Sequence, residues 1–362
     1  MKVALVLGTR PEIIKMSPIV RALEQQRVDF YILHTGQHYS SYMDDVFFHQ
    51  LTLPEAKYHL EVGSGTHAEQ TGKMLIGIET VLQGENPDVV LVEGDTNTVL
   101  AGALAATKLG IHVGHVEAGL RSYDRQMPEE INRIVADHCS DLLFAPTQTS
   151  YQILRNEGIA IEKIFVTGNT IVDAIYQNLE IAERTVNVLQ KFGLQKQKYF
   201  VVTIHRQENV DNAERFRSIL TGLKMVKDKF GLEMLYPIHP RAAKQMETSH
   251  IHRSGLRLIE PLDYFTFLQL ENNATLTLTD SGGVQEEACI LKVPCVTLRY
   301  NTERPETLDV GSNILAGTDP YEIVKQTEHM LSKRREWLNP FGDGTAGQQI
   351  VDVLVNTFSS PK

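Results

Sequence analysis

The sequence predicts an α/β protein built from two parallel-sheet domains, and three observations predict it. Short apolar runs alternate with longer amphipathic stretches along the whole chain, the grammar of βαβ units. That pattern restarts after a charged, glutamine-rich segment, and 362 residues with 42% hydrophobic content exceed what one core commonly holds. The runs "KVALVLG", "DFYILHTG", "DVVLVEGD", "IHVGHVEAG", "DLLFAPT" and "KIFVTGN" read as strands of the first half, each followed by helix-like sequence. They are continuous rather than alternating, as parallel strands buried on both faces require. "TIVDAIYQNLEIAERTVNVLQKF" has helical spacing and joins the halves, with the crossover around residue 170. The second half opens near residue 199 with "YFVVTIH" and continues through "EMLYPIHP", "LRLIEP", "ATLTLTDSGG" and "PCVTLRY". The last segment, "GQQIVDVLVNTF", has helical spacing and no strand after it.

A formal net charge of −10 with no basic run argues against an electrostatic grip on nucleic acid or an anionic membrane, while leaving room for a local site for one small anion. The opening "MKVALVLGT" is too short an apolar segment for a signal peptide, and no stretch of ~18 apolar residues spans a bilayer, so a cytoplasmic protein is expected. Cys139, Cys289 and Cys295 are odd in number, far apart or in apolar contexts, and read as buried free thiols.

In open parallel sheets ligands sit outside the carboxyl ends of the strands, so the loops after each strand carry the chemistry. "LTLTDSGGVQEEA" follows a strand and opens a helix. Ser281, Gly282 and Gly283 leave backbone N–H groups free at that helix N-terminus, a site for phosphate, with an ordinary helix cap as the competing reading. Glu286 and Glu287 come about one turn later, where a neutral diol such as ribose would suit one of them; favourable charge at a helix N-terminus is the alternative. In "VALVLGTRPEIIK", Pro11 suits the first turn of a helix, and Arg10 sits beside the positive end of that helix, where a cation is unfavourable until an anion binds. Lys15 adds a second positive charge about a turn on.

Asp95, Glu117 and Glu129 gather in other loops of the first half. Each also fits a cap, an ion pair or a first helical turn, yet three acids at ligand-facing strand ends point to a site. His115 and Glu117 share a strand face that His112 does not, so no metal trio converges. His205 and His239 end strands of the second half and, with Arg206, suggest a lining for the anion. "GSGTHA", residues 63–68, matches G-x-G-x-x-A, but the preceding "YHLEV" is weakly apolar and no acidic residue ends a strand about 20 positions later, so it reads as a loop.

At "GTRPEIIK", "VEGDTNT", "GHVEAGLRS", "PEEINR", "LTDSGGVQEEA" and "TERPET" the chain resembles the non-hydrolysing UDP-N-acetylglucosamine 2-epimerases, over nearly its full length. The resemblance implies two Rossmann-like doubly wound domains facing across a cleft, the GT-B arrangement. It sets expected boundaries at 1–170 for the N-terminal domain, 171–344 for a C-terminal UDP-binding domain, and 345–362 for a terminal helix returning to the first. It implies interconversion of UDP-GlcNAc and UDP-ManNAc by anti elimination of UDP to 2-acetamidoglucal and re-addition. No cofactor or metal is expected, and the missing dinucleotide fingerprint argues against a nicotinamide route. By matching motifs, Arg10, Lys15, Ser281, Gly282 and Gly283 would hold or neutralise the diphosphate and Glu287 the ribose, while Leu262 and Phe267 would meet uracil. Asp95, Glu117, Glu129 and His205 would line the sugar and share proton transfer, with Arg133 and Arg304 in support. The partner expected is the UDP-sugar, with no nucleic acid, no membrane and a homodimer as the assembly. An epimerase of a UDP-2,3-diacetamido uronic acid is the alternative. Bacterial relatives bind a second UDP-GlcNAc as activator; Gln37, Arg206 and His239 match part of that site, and the rest of its cationic and amide set is missing, so weak or absent activation is expected.

Overall fold

The computed structural model describes residues 1–36, 47–249 and 255–358. Gln37 and the last four residues of the expected terminal helix lie outside these described residues. Contacts divide the chain into two compact units, one of Met1–Gln177 with Phe341–Lys362 and the other of Asn178–Pro340. The division falls inside one helix, Thr170–Thr185.

Unit 1 is a seven-stranded parallel sheet of β1 (Lys2–Leu7), β2 (Asp29–His34), β3 (Tyr58–His59), β4 (Val89–Glu93), β5 (His112–Val116), β6 (Leu142–Ala145) and β7 (Ile164–Val166) in the order β3-β2-β1-β4-β5-β6-β7. Val89–Glu93 are all buried, as are Leu142–Ala145, which is why these segments read as unbroken apolar runs. The order reverses beside β1: the chain winds outward to β3, then restarts at β4 on the other flank. Such a switch point opens a crevice between the carboxyl ends of β1 and β4. Gly8 ends β1 there because a Cβ at this position would collide with the Thr35 and Thr98 hydroxyls.

Within the same unit the terminal helix Ala346–Phe358 packs on the helix Arg10–Gln25. Gly347 permits the contact, since a Cβ there would lie 2.9 Å from Pro18. The Asp173 carboxylate accepts from the Ala346 and Gly347 N–H groups at 3.2 and 2.9 Å, satisfying donors left open at the start of this helix.

Unit 2 is a six-stranded parallel sheet of β8 (Tyr199–Thr203), β9 (Glu233–Pro237), β10 (Arg257–Ile259), β11 (Leu276–Thr279), β12 (Cys295–Thr297) and β13 (Asn313–Leu315), ordered β10-β9-β8-β11-β12-β13. Its switch point lies between β8 and β11. Two strands depart from the sequence reading. Tyr58–His59, in the weakly apolar segment ahead of residues 63–68, pairs with Leu33 and His34, and Asn313–Leu315 extends the second sheet beyond β12. β3 has two residues, too few to display a period, and β13, Asn-Ile-Leu, offers only two apolar residues.

The three cysteines are free: Cys289 and Cys295 are buried, whereas Cys139 is only partly so. Among the described residues no helix is long and apolar enough to cross a membrane.

Candidate active site

The switch point of unit 1 collects carboxylates. Glu12, in the first turn of the helix Arg10–Gln25, accepts from the Gly8 and Thr9 N–H groups at 2.5 and 3.0 Å and from the Thr96 hydroxyl. Burial, only partly offset by these donors, pushes its carboxyl up to about 7. One turn on, the Lys15 ammonium lies 3.2 Å from Glu93 Oε1, at the end of β4, and also holds Glu117 Oε2, just past β5. Burial raises Glu93 well above the carboxylate range; Lys15 opposes that shift and Glu117 adds to it. Asn169 Nδ2 donates to the same Glu117 oxygen at 3.3 Å. Glu117 has φ = +67°, a left-handed conformation that a non-glycine residue adopts at a cost of ~1–3 kcal/mol and that concentrates at functional sites.

Beneath these turns His115, 1% exposed, donates from Nδ1 to Asp137 at 2.7 Å and from Nε2 to the Gly94 carbonyl at 2.9 Å. Burial alone would discharge the ring, but Asp137 outweighs it and the pKa is raised. Asp137 also accepts from Gly119 N–H at 3.2 Å, so one buried pair anchors the turns that carry Asp95 and Glu117. His115 is therefore a structural anchor.

Asp95 follows β4. Arg133, on the helix Pro128–Cys139, grips its Oδ2 with Nε at 3.0 Å and Nη2 at 2.7 Å, and donates to Glu130 at 2.6 Å. Glu130 in turn accepts from Ser122 and Tyr123 N–H, each at 2.9 Å, tying the loop after β5 to this helix. Asp95 and Glu129 line a cavity of about 390 Å³ together with His67, Gln70, Asn97 and Asn132. The helix cap, the competing reading for Asp95, belongs to Thr96, and Asp95 lines the cavity. The segment read as a decoy loop, residues 63–68, supplies Ser64, Gly65 and His67 to the same wall.

The remaining unit 1 residue, Arg10, is the first residue of its helix and exposed, with its guanidinium 6.0 Å from the Phe47 ring centre. Sequence reasoning missed Glu12, Glu93 and Glu130. Glu93 lies within an apolar run, and Glu12 and Glu130 resemble ordinary first-turn acids.

At the switch point of unit 2, Asp280 is wholly buried and accepts from His205 N–H at 3.1 Å, Arg206 N–H at 3.1 Å and Asn209 Nδ2 at 3.0 Å. Burial works to raise it, yet His205 and Asn209 prevail and its pKa lies below the ordinary value. Asp280 thereby fixes the backbone of His205, whose ring centre is 6.1 Å from that of His239. His239 caps the helix Pro240–Thr248, its Nδ1 accepting from Arg241 N–H at 3.2 Å; burial, then the charges of His205 and Arg241, lower its pKa.

Ser281 is the N-cap of the helix Gly282–Ile290 and makes no side-chain cap bond. Neither following glycine has a positive φ, and a Cβ would come no closer than 3.5 Å to any atom at Gly282 or 3.9 Å at Gly283. The chain's own packing therefore does not demand glycine here, whereas close approach of a phosphate to backbone N–H groups would. Arg206 lies 3.8 Å from Glu303, and Arg304 lies 3.0 Å from Glu286. Leu262 and Phe267 pack at the edge of the core around Tyr199 and Leu270. Glu287 faces the buried Glu271; burial, then Glu286, pushes Glu287 up to about 7. Among the described residues no group of three or more His, Cys, Asp or Glu is placed to hold a metal.

A family model described as UDP-N-acetylglucosamine 2-epimerase matches residues 21–355. A UDP-N-acetylglucosamine 2-epimerase of Methanocaldococcus jannaschii is 56% identical over 361 residues, covering 98% of this chain and 99% of the relative. A UDP-2,3-diacetamido-2,3-dideoxy-D-glucuronate 2-epimerase of Pseudomonas aeruginosa is 40% identical, covering 98% and 99%. The crystal structure of the M. jannaschii enzyme in complex with UDP-GlcNAc and UDP superimposes with a TM-score of 0.87, covering 98% of this chain and 100% of that one.

Proposed function

The chain belongs to the UDP-N-acetylglucosamine 2-epimerase family, and from that premise we propose that it interconverts UDP-GlcNAc and UDP-ManNAc by elimination and re-addition of UDP. The observation that carries this reading is the pairing of two acid turns in unit 1 with a cation and a buried anchor: Lys15 on Glu117, Arg133 on Asp95, and His115–Asp137 beneath both. Such a wall holds carboxylates in place against a sugar whose C2 hydrogen is not acidic by itself.

In the forward direction a carboxylate removes the C2 proton while the C1–O bond breaks. The C–H electron pair becomes the C1–C2 double bond of 2-acetamidoglucal, and UDP leaves with the C1–O pair. The return adds a diphosphate oxygen to C1 and a proton to the opposite face of C2. Asp95, Glu117, Glu129 and His205 share the proton transfers. Arg10 and the turn of residues 281–283 stabilise the charge that develops on UDP. Lys15 acts indirectly, because it is held by Glu93 and Glu117 rather than directed at a phosphate. Glu287 receives the ribose, and Leu262 and Phe267 flank the uracil.

NMR of the protein with UDP-GlcNAc in D2O tests the proposal. Deuterium should appear at C2 of both recovered substrate and epimer, without added NAD. Epimer free of deuterium would overturn the elimination route, and turnover of only the diacetamido uronate would assign the chain to that sister activity. A cytoplasmic homodimer completes the proposal, and light scattering coupled to size exclusion checks the dimer.

A further inference from the structure

The segment 63–68 brings His67 to the wall of the unit 1 cavity, and three amides next to it settle how that ring is protonated. Thr66 and Glu69 form a capping box: the Glu69 carboxylate accepts from Thr66 N–H at 3.0 Å and the Thr66 hydroxyl from Glu69 N–H at 3.3 Å, so the helix His67–Glu85 opens with His67 in its first turn. The amides are those of Gln70, Asn97 and Asn132, which are 6%, 5% and 5% exposed. Backbone carbonyls, which only accept, orient two of them. Gln70 Nε2 donates to the Gly63 carbonyl at 2.8 Å, which turns Gln70 Oε1 to receive Asn97 Nδ2 at 3.0 Å. Asn132 Nδ2 donates to the Asp95 carbonyl at 2.9 Å and reaches Asn97 Oδ1 at 3.4 Å. Both neighbours therefore assign the Asn97 amide the same way.

His67 Nδ1 lies 3.2 Å from Asn97 Nδ2 and 3.4 Å from Asn97 Oδ1. The nearer atom is a donor that gives one hydrogen to Gln70 and has the other for the ring, so Nδ1 accepts and the neutral imidazole carries its proton on Nε2. Among the described residues no group accepts from Nε2, and His67 is exposed at the cavity that Asp95 and Glu129 also line. We propose that His67 is a specificity residue for the sugar: its Nε2–H donates to the carbonyl oxygen of the acetamido group on C2. The proposal deepens, and rests on, the reading of Asp95 and Glu129 as acids that face the sugar.

The partner follows from what each group on the wall can give or take. Carboxylates accept from hydroxyls and from the acetamido N–H, whereas the acetamido carbonyl bears no hydrogen and needs a donor. The side-chain amide hydrogens of Asn97 and Asn132 are engaged by Gln70, His67, the Asp95 carbonyl and each other, and the Thr96 hydroxyl donates to Glu12. The Ser64 hydroxyl can turn to give or to take, so it selects neither. His67 Nε2–H is a donor whose direction the amides fix. The group it would hold stays on C2 through substrate, glucal and epimer, so the contact persists through elimination and re-addition.

The test compares kcat/KM for UDP-GlcNAc with that for its N-thioacetyl analogue, which keeps the shape and the N–H of the acetamido group but offers sulfur, a weak acceptor, in place of oxygen. In the unaltered protein the oxygen compound should be favoured about fivefold or more, the scale of one hydrogen bond between neutral groups. His67→Gln keeps an N–H donor and should retain most of that ratio. His67→Phe keeps a ring without the donor and should bring the ratio to within about twofold of one, by slowing UDP-GlcNAc. An undiminished ratio in His67→Phe would overturn the proposal. Failure of the underlying reading looks different: if Asp95→Asn and Glu129→Gln turn over UDP-GlcNAc normally, these acids do not face the sugar. A second measurement needs no turnover. Nitrogen-15 NMR of the neutral His67 imidazole, reached by raising the pH, should show hydrogen on Nε2 and none on Nδ1, and the opposite tautomer would refute the contact.

Discussion

Lys15→Met separates the charge of Lys15 from its methylene packing. The ammonium lies between Glu93 and Glu117, whose side chains are 2% and 7% exposed, and its own side chain is 15% exposed. With Lys15 removed, Glu117 loses its cation beside Glu93, whose carboxyl burial already raises, and breaking a buried pair in this way costs ~3–5 kcal/mol. Proton uptake caps that cost. Taking one carboxyl from its ordinary 4.5 to the protonated form costs about 3 kcal/mol at pH 7 and about 1 kcal/mol at pH 5.5, at 1.36 kcal/mol per pH unit. The sign follows from the direction of the shift: a carboxyl raised in the folded state penalises folding above its unfolded pKa, and the penalty shrinks as pH falls toward that value. A unit of about 200 residues loses roughly 2–4 °C in Tm per kcal/mol. Scanning calorimetry should therefore show Lys15→Met lowering Tm by roughly 6–12 °C at pH 7 and roughly 2–4 °C at pH 5.5. An equal drop at both pH values, or less than about 2 °C at pH 7, would show that Lys15 does not neutralise a buried acid pair.

Asp95→Asn and Glu117→Gln should each lower kcat by ~10²-fold or more while Kd for UDP changes less, in steady-state assays and calorimetry; near-normal kcat in both folded variants would place the chemistry elsewhere. Gly282→Ala should leave Tm within about 2 °C, since its Cβ meets nothing closer than 3.5 Å, yet weaken UDP at least ~10-fold by blocking phosphate from the backbone N–H groups. UDP-ManNAc should be converted without added UDP-GlcNAc and initial rates should rise hyperbolically with UDP-GlcNAc; an absolute requirement for UDP-GlcNAc in the reverse direction would reveal an activator site built from other residues.

Much of the fold was legible because parallel strands buried on both faces leave continuous apolar runs, and among the described residues eleven of thirteen strands lie in such a run. β3 escapes because two residues cannot establish a pattern, and β13 because Asn313 leaves only two apolar residues to mark it. The site divides along the same line. Asp95, Glu117, His205 and Ser281 were visible as polar residues placed just after strands, a property of local order. What those residues touch depends on which strands become neighbours: β1 lies beside β4, and β4 beside β5, only in the folded sheet. Lys15 shows the consequence. From sequence it is a cation one turn into a helix that follows a strand, and a phosphate is the natural partner for it. In the folded unit its charge is engaged by Glu117, 102 positions away, and by Glu93, hidden inside an apolar run. The helix position of Lys15 is set by near neighbours and legible from them, whereas its ion pairs across a switch point are set by strand order and are not.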